Sequence, residues 1–189
     1  MLLHDLQLQL LPPKRSTQNM TTDEKTGQPD WEQRIAGLWA NIDSYTPDDF
    51  VEKMRLLTDE LPAGNAIALF ELASANDSTG HEQQAAPLYR QALAAGLAGI
   101  RRRRAVIQLS STLRNLGEAE ESVALLTAER NAGSDELDDA VAAFLALALV
   151  DTGREREAVA LALDRLSRHL PRYNRSLARY ARELIDDHG

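Results

Sequence analysis

Three stretches decide the fold: AIALFELASANDSTGHEQQAAPLYRQALAAG at residues 66–96, RRAVIQLSSTLRNLGEAEESVALLTAERNAG at 103–133 and DAVAAFLALALVDTGREREAVALALDRLSRH at 139–169. Laid one over another, they bring Gly80, Gly117 and Gly153 into one column, 37 and 36 residues apart. Each glycine separates two apolar-periodic stretches. This is the mark of a helix–turn–helix unit stacked on copies of itself, because a short helix pair cannot bury its apolar face alone. Each glycine is expected to end the first helix of its pair in the left-handed conformation, where a Cβ is penalised.

Within the units, Leu69, Leu72 and Ala73 should meet Ala85, Leu88, Tyr89 and Ala92. Val106, Leu109, Ser110 and Leu113 should meet Val123 and Leu126, and Ala142, Leu145, Ala146 and Leu149 should meet Ala158, Leu161 and Ala162. Upstream, Trp31, Ile35, Leu38 and Ile42 share one helical face. Thr46-Pro47-Asp48-Asp49 reads as a helix start, with Phe50, Met54, Leu57 and Leu61 as its buried face and Pro62 as its end. Ser134, followed by Asp135 and Glu136, is expected to cap the third repeat. Pro171 is expected to open a last helix with the stripe Tyr173, Leu177, Tyr180 and Leu184. Nine helices are expected from Trp31 onward.

The leucine and small residue at the seventh and eighth positions, the small residue at the twentieth and the aromatic at the twenty-fourth resemble the tetratricopeptide repeat. The first repeat supplies Leu72, Ala73, Ala85, Tyr89 and then Ala92; the second ends on Glu129 and the third on Arg165 where alanine is usual. Trp39 stands where a small residue is expected, so the first pair reads as a degenerate cap. The resemblance implies an all-α, right-handed α-solenoid with a C-terminal capping helix. Its expected divisions are a disordered tail at 1–29, the repeat domain at 30–189, a capping pair at 30–62, repeats at 66–102, 103–138 and 139–170, and a capping helix at 171–188. The run from Asp77 to Gly117, with PLYRQAL and RRRRAVIQLSSTLRNLG, also resembles a group of small bacterial proteins of this family.

Composition narrows the function classes. The 189-residue chain has no cysteine, which excludes disulfides and thiolate metal sites, and its net charge of −8 argues against a general nucleic-acid binder. Its longest apolar run, Ala140 to Val150, is eleven residues, short of the roughly 20 needed to cross a bilayer. The start, MLLHDLQLQLLPP, lacks the charged leader and cleavage site of a signal peptide. The chain is therefore read as cytoplasmic, with no membrane partner. Residues 1–29 are too polar to order themselves; Met20 opens a second candidate start, and both stay open. Eighteen arginines against three lysines, with abundant alanine, fit a GC-rich bacterial genome.

No catalytic signature is present. His81-Glu82 begins like a zinc-protease helix, but Ala85 takes the partner position, and there is no GxSxG, phosphate loop or dinucleotide turn. No cofactor and no metal is expected. The candidate partner-binding residues lie on first helices, which the resemblance places on an inner, concave wall. Arg104, Gln108, Ser111 and Asn115 share one face, with Arg114 beside it, and Ser74 and Asp77 hold comparable places in the preceding repeat. Phe70 and Ile107 add apolar surface, with Ile67 and Phe144. Such a row suits a peptide backbone, a carboxylate or an amphipathic helix, and the competing reading is an ordinary solvated helix face. The carboxylate clamp of chaperone-binding members is not supported, since Phe70 and Ser74 stand where it needs lysine and asparagine.

Two basic stretches have two readings each. Arg101 to Arg104, at a helix start where the dipole disfavours cations, could anchor an acidic partner or a phosphate; pairing with neighbouring acids such as Glu136, Asp138 and Asp139 is preferred. Arg168, Arg172, Arg175, Arg179 and Arg182 could grip an acidic surface or a nucleic-acid backbone; a solvated capping face is preferred. The leading function is a non-catalytic scaffold that binds a protein or peptide. Self-assembly into a homo-oligomer through an end or the apolar third repeat is the rival, followed by a sensor of a small peptide or metabolite.

Overall fold

The computed structural model describes residues 28–186. Residues 1–27 and 187–189 lie outside the described residues, so the expected disordered tail falls almost wholly there. Nine α-helices follow in order: α1 Gln28–Trp39, α2 Pro47–Thr58, α3 Ala66–Ser78, α4 Glu82–Ala94, α5 Gly99–Asn115, α6 Ala119–Ala132, α7 Asp138–Asp151, α8 Glu155–Ser167 and α9 Asn174–Asp186. No strand occurs among the described residues.

The turn chemistry repeats three times. Gly80, Gly117 and Gly153 have φ of 82°, 83° and 74°. In each turn the amide after the glycine reaches back to a carbonyl of the preceding helix: His81 to Asn76 at 2.9 Å, Glu118 to Leu113 at 2.8 Å and Arg154 to Leu149 at 2.8 Å. This left-handed closure satisfies the last carbonyls and turns the chain into the second helix. Helix starts are more varied. Thr46 accepts from the Asp49 amide at 3.2 Å, with Pro47 in the first turn. Asn65 accepts from the Ile67 and Ala68 amides at 2.9 and 3.1 Å to start α3.

Several expected boundaries move. Helix α1 begins at Gln28, and α2 ends at Thr58, before Pro62. Ser134 does not cap α7, which begins at Asp138; its hydroxyl donates to the Asp138 carboxylate at 2.6 Å, and Asp135 accepts from the Leu137 amide at 2.8 Å. Pro171 does not open α9, because Tyr173 adopts a φ of 65° and the helix starts one residue later. The extra length of the repeat unit is most visible in α5, which runs 17 residues and carries the arginine run in its first turns.

Each second helix packs on the first helix of its own pair and on that of the next, and the first helices α3, α5 and α7 also touch in sequence. Small residues allow this closeness. Ala73, Ala85 and Ala92 are fully buried with Phe70, Tyr89, Leu109 and Leu113 in one cluster. A second cluster joins Ile107, Val123 and Leu126 to Val141, Leu145 and Ala148. A third holds Trp31, Ile35, Trp39, Phe50 and Met54 in the first pair. Trp39, the misfit of the repeat pattern, sits with its ring centroid 5.0 Å from that of Phe50 and donates its indole N–H to Glu71 of α3 at 2.9 Å.

The turn glycines are tested by a paired substitution. No atom lies within 4 Å of where a Cβ on Gly117 or Gly133 would sit. Only backbone strain then separates them: Gly117 is left-handed, whereas Gly133 has an extended φ of 175°. Gly117→Ala should cost about 1–2 kcal/mol in urea or thermal unfolding, and Gly133→Ala should cost nothing measurable. Equal effects would contradict the shared turn.

Candidate functional site

The polar residues of the first helices meet one another across the stack. Ser74 and Asp77 on α3, Tyr89 on α4, and Gln108 and Thr112 on α5 form one buried network. Thr112 donates to Asp77 at 2.9 Å and the Tyr89 hydroxyl lies 3.3 Å from the other Asp77 oxygen. Ser74 bridges Tyr89 and Gln108, at 3.4 Å from each. Burial outweighs these hydrogen bonds and raises the Asp77 carboxyl to about 6. Burial, with Asp77 beside it, pushes the Tyr89 phenol well above its ordinary range.

A second polar seam runs through the helix starts. Glu71 is buried, accepts from Trp39 and lies 3.4 Å from Arg101, which also pairs with Glu32 of α1. Burial raises the Glu71 carboxyl even so. Arg102 grips both oxygens of buried Glu129 at 2.8 Å. Arg103 reaches Glu129 at 3.3 Å, Asp135 at 2.8 Å and Asp138 at 2.6 Å. Arg101, Arg102 and Arg103 are therefore committed to acids within the fold, though of the three acids expected only Asp138 takes part. Asp139 instead meets Arg165 at 3.6 Å and His169 at 2.8 Å. The two residues that stand where the repeat pattern ends on alanine, Glu129 and Arg165, are both ion-paired.

The nine candidate residues separate into two groups. Phe70, Ser74, Asp77, Ile107, Gln108 and Ser111 are buried, so Ser74, Asp77, Gln108 and Ser111 are not the solvated face of the competing reading, and Phe70 and Ile107 do not present the apolar groove surface expected of them. The reason is geometric: α3 and α5 each receive the next first helix across that face. Arg104, Arg114 and Asn115 retain access to solvent. Arg114 turns to Asp151 of α7 at 2.5 Å. Asn115 is exposed at the end of α5. Arg104 lies over the Phe70 ring, 5.3 Å from its centroid, and its buried Nε has no hydrogen-bond partner. Burial depresses the Arg104 guanidinium, with Glu71 opposing that effect. On α9 and the turn before it, Arg168 pairs with Asp164 and Arg179 with Glu183, all on a largely exposed face.

Sequence reasoning did not single out Glu71 or Thr112, and it recorded Glu129 only as a departure. A signal existed: Asp77 and Thr112 are 35 residues apart, as are Arg103 and Asp138, close to one repeat period. Among the described residues, no cluster of three or more metal-ligating side chains occurs, and no helix is long and apolar enough to cross a membrane.

A family model described as "Tetratrico peptide repeat" matches residues 66–184. No curated protein and no solved structure matches the chain.

Asp77 gives a pH signature with a defined sign. Its folded value near 6 lies above the ordinary 3.8, so the folded protein holds this proton more tightly than the unfolded chain. Its contribution to stability is complete below about pH 4 and is lost as pH rises through 6, a swing of about 3 kcal/mol. Asp77→Asn does not titrate. The variant should therefore gain on the parent as pH is raised from 5 to 7.5, measured as the difference between their unfolding free energies. A difference that stays constant over that range would contradict a buried, titrating Asp77.

Proposed function

As the chain belongs to the tetratricopeptide-repeat family, whose repeats generally mediate protein–protein interaction, we propose that it is a non-catalytic interaction module. Its ligand is an extended peptide or an amphipathic helix laid along the first-helix face. The observation that carries this reading is Arg104. Among the described residues no carboxylate stands within ion-pair distance of it, its Nε lacks a partner, and it remains partly accessible above Phe70. A ligand carboxylate or backbone carbonyl placed there would meet a partly desolvated guanidinium, where a charged hydrogen bond is worth more than in water. Asn115, exposed three turns along the same helix, offers an amide donor and acceptor to an extended backbone.

The buried neighbours support the site without touching the ligand. The Phe70 ring lies beneath the guanidinium, its centroid 5.3 Å from the guanidinium carbon, and the network through Ser74, Asp77 and Gln108 holds α3 against α5. The groove is therefore preorganised, and less ordering is needed on binding.

Affinity capture from native extract, quantified by mass spectrometry, tests the reading. Changing Arg104 and Asn115 to alanine should lower partner affinity about 10- to 100-fold, the equivalent of one charged hydrogen bond. The stability cost should stay near 0.5–1 kcal/mol, the size of the lost contact with Phe70. The control is Arg175 and Arg179 to alanine on α9. Capture lost in the control and kept in the inner pair would move the binding surface to the terminal helix.

A further inference from the structure

The array has two unlike ends, and only one is sealed. In the first two repeats, the face that receives the next first helix is covered: Phe70, Ser74 and Tyr89 in one, Ile107, Ser111 and Leu126 in the other, all below 9% exposed. Moving on by one further period of 36 residues carries Ile107, Ser111 and Leu126 to Ala143, Leu147 and Ala162; Val150 and Val159, one period after Arg114 and Val123, adjoin them, and Leu166 lies one turn beyond Ala162. Leu147, Val150, Val159 and Leu166 are 47%, 47%, 48% and 49% exposed. The two small residues of that face, Ala143 and Ala162, are exposed as well. These six side chains are all aliphatic, and among the described residues no helix covers them.

Helix α9 does not cover it. By sequence α9 is a fourth first helix, since Leu177, Ala181 and Leu184 fall 36 residues after Val141, Leu145 and Ala148. The bend through Pro171 and the left-handed Tyr173 carries it elsewhere. It packs along α8, burying Ala181 to 1% exposure, and Arg156 on α8 donates to the Leu184 carbonyl at 3.1 Å. The crevice between α8 and α9 is lined by Glu157, Ala160, Leu161 and Asp164 of α8, while Val159 and Leu166 stay about half exposed, so among the described residues the receiving face remains open.

We infer that this face is the dimer interface of the protein, occupied by the same face of a second copy packed tail to tail. Three observations favour this occupant. The face is the array's own stacking surface, already shown at two junctions to bury helices against one another. The opposite end is a poor match, because the exposed surface of the first pair carries the ion pairs of Arg34 with Asp30 and Glu60 and of Arg55 with Glu52 and Asp59, with Leu56 the single large aliphatic side chain exposed among its described residues. An aliphatic surface finds little complement there, so head-to-tail growth is disfavoured. The same face on another copy is complementary to itself, and a two-fold contact closes at two copies. Two helices of about 20 Å give a footprint below the roughly 800 Å² per partner of a standard interface, so the dimer should dissociate in the micromolar range.

Sedimentation velocity of the full chain from about 1 to 500 μM should show the 20.9 kDa species giving way to one of twice that mass. The variant with Leu147→Glu and Leu166→Glu should remain at the monomer mass throughout, with an unchanged helical circular dichroism spectrum, since both side chains are exposed. The chain has no cysteine, so single substitutions Leu147→Cys, Val150→Cys, Val159→Cys and Leu166→Cys each report one position. Under mild oxidation at least one should give a covalent dimer, whereas Leu56→Cys, exposed on α2, should not. A parent chain that stays monomeric overturns the inference and leaves the face to a foreign helix. A dimer that survives the double variant places the interface elsewhere, and species larger than dimers overturn the two-fold contact. A dimer lost in the double variant but never cross-linked at the four positions, with Leu147→Cys instead joining Leu177→Cys of another copy, would show exchange of α9.

Discussion

A helix pair in this chain buries its receiving face only when another helix is laid across it. Most other features follow from how that covering is made. The left-handed glycines set the angle between the two helices of a unit, and alanine at the crossing points lets them close to contact. Neither device stabilises a unit in isolation. Burial of Phe70, Tyr89, Ile107 and Leu126 depends on the succeeding unit, which makes the stability of the array a sum over junctions.

The junctions are not interchangeable. Between the first and second repeats the match is made by neutral and singly charged groups, Ser74 with Gln108 and Asp77 with Thr112. Between the second and third it is made by ion pairs, Arg103 with Asp138 and Arg114 with Asp151. The first pair is fastened by Trp39 on Glu71. Buried polar pairs contribute little net stability against apolar replacements, yet a broken pair is costly. A unit placed at the wrong junction would leave Glu129 or Asp77 without partners. These residues therefore specify the order of the units more than they stabilise it.

Helix number, helix pairing and the turn glycines were legible in the chain because they obey local rules: apolar period, Thr46 with Pro47, and glycine after the last apolar residue. The polar face of α5 was misread for a physical reason. A helical wheel shows two sides, one apolar and one polar, whereas a first helix in a stack is covered on three. Gln108 and Ser111 lie on the third side, and their burial comes from α3 and α7, which the wheel does not contain. The arginine run was legible in kind, as charges awaiting acids, but not in detail, because Glu129 and Asp135 reach it only after the chain has turned twice. Polar residues separated by about one period, such as Asp77 and Thr112, were the available clue. In a solenoid that spacing means spatial contact.

Both tryptophans, Trp31 and Trp39, lie on α1, each buried, with one indole hydrogen-bonded to Leu57 and the other to Glu71. Their emission therefore reports only the first pair and its seam with α3, while far-ultraviolet ellipticity weighs all nine helices of the described residues together. In a quasi-one-dimensional array, loss of structure can begin at either end. The molecule thus carries its own optical position gauge. Emission that shifts to the red before ellipticity falls would mean fraying from the ion-paired end, and the reverse order would mean fraying from the bare aliphatic one.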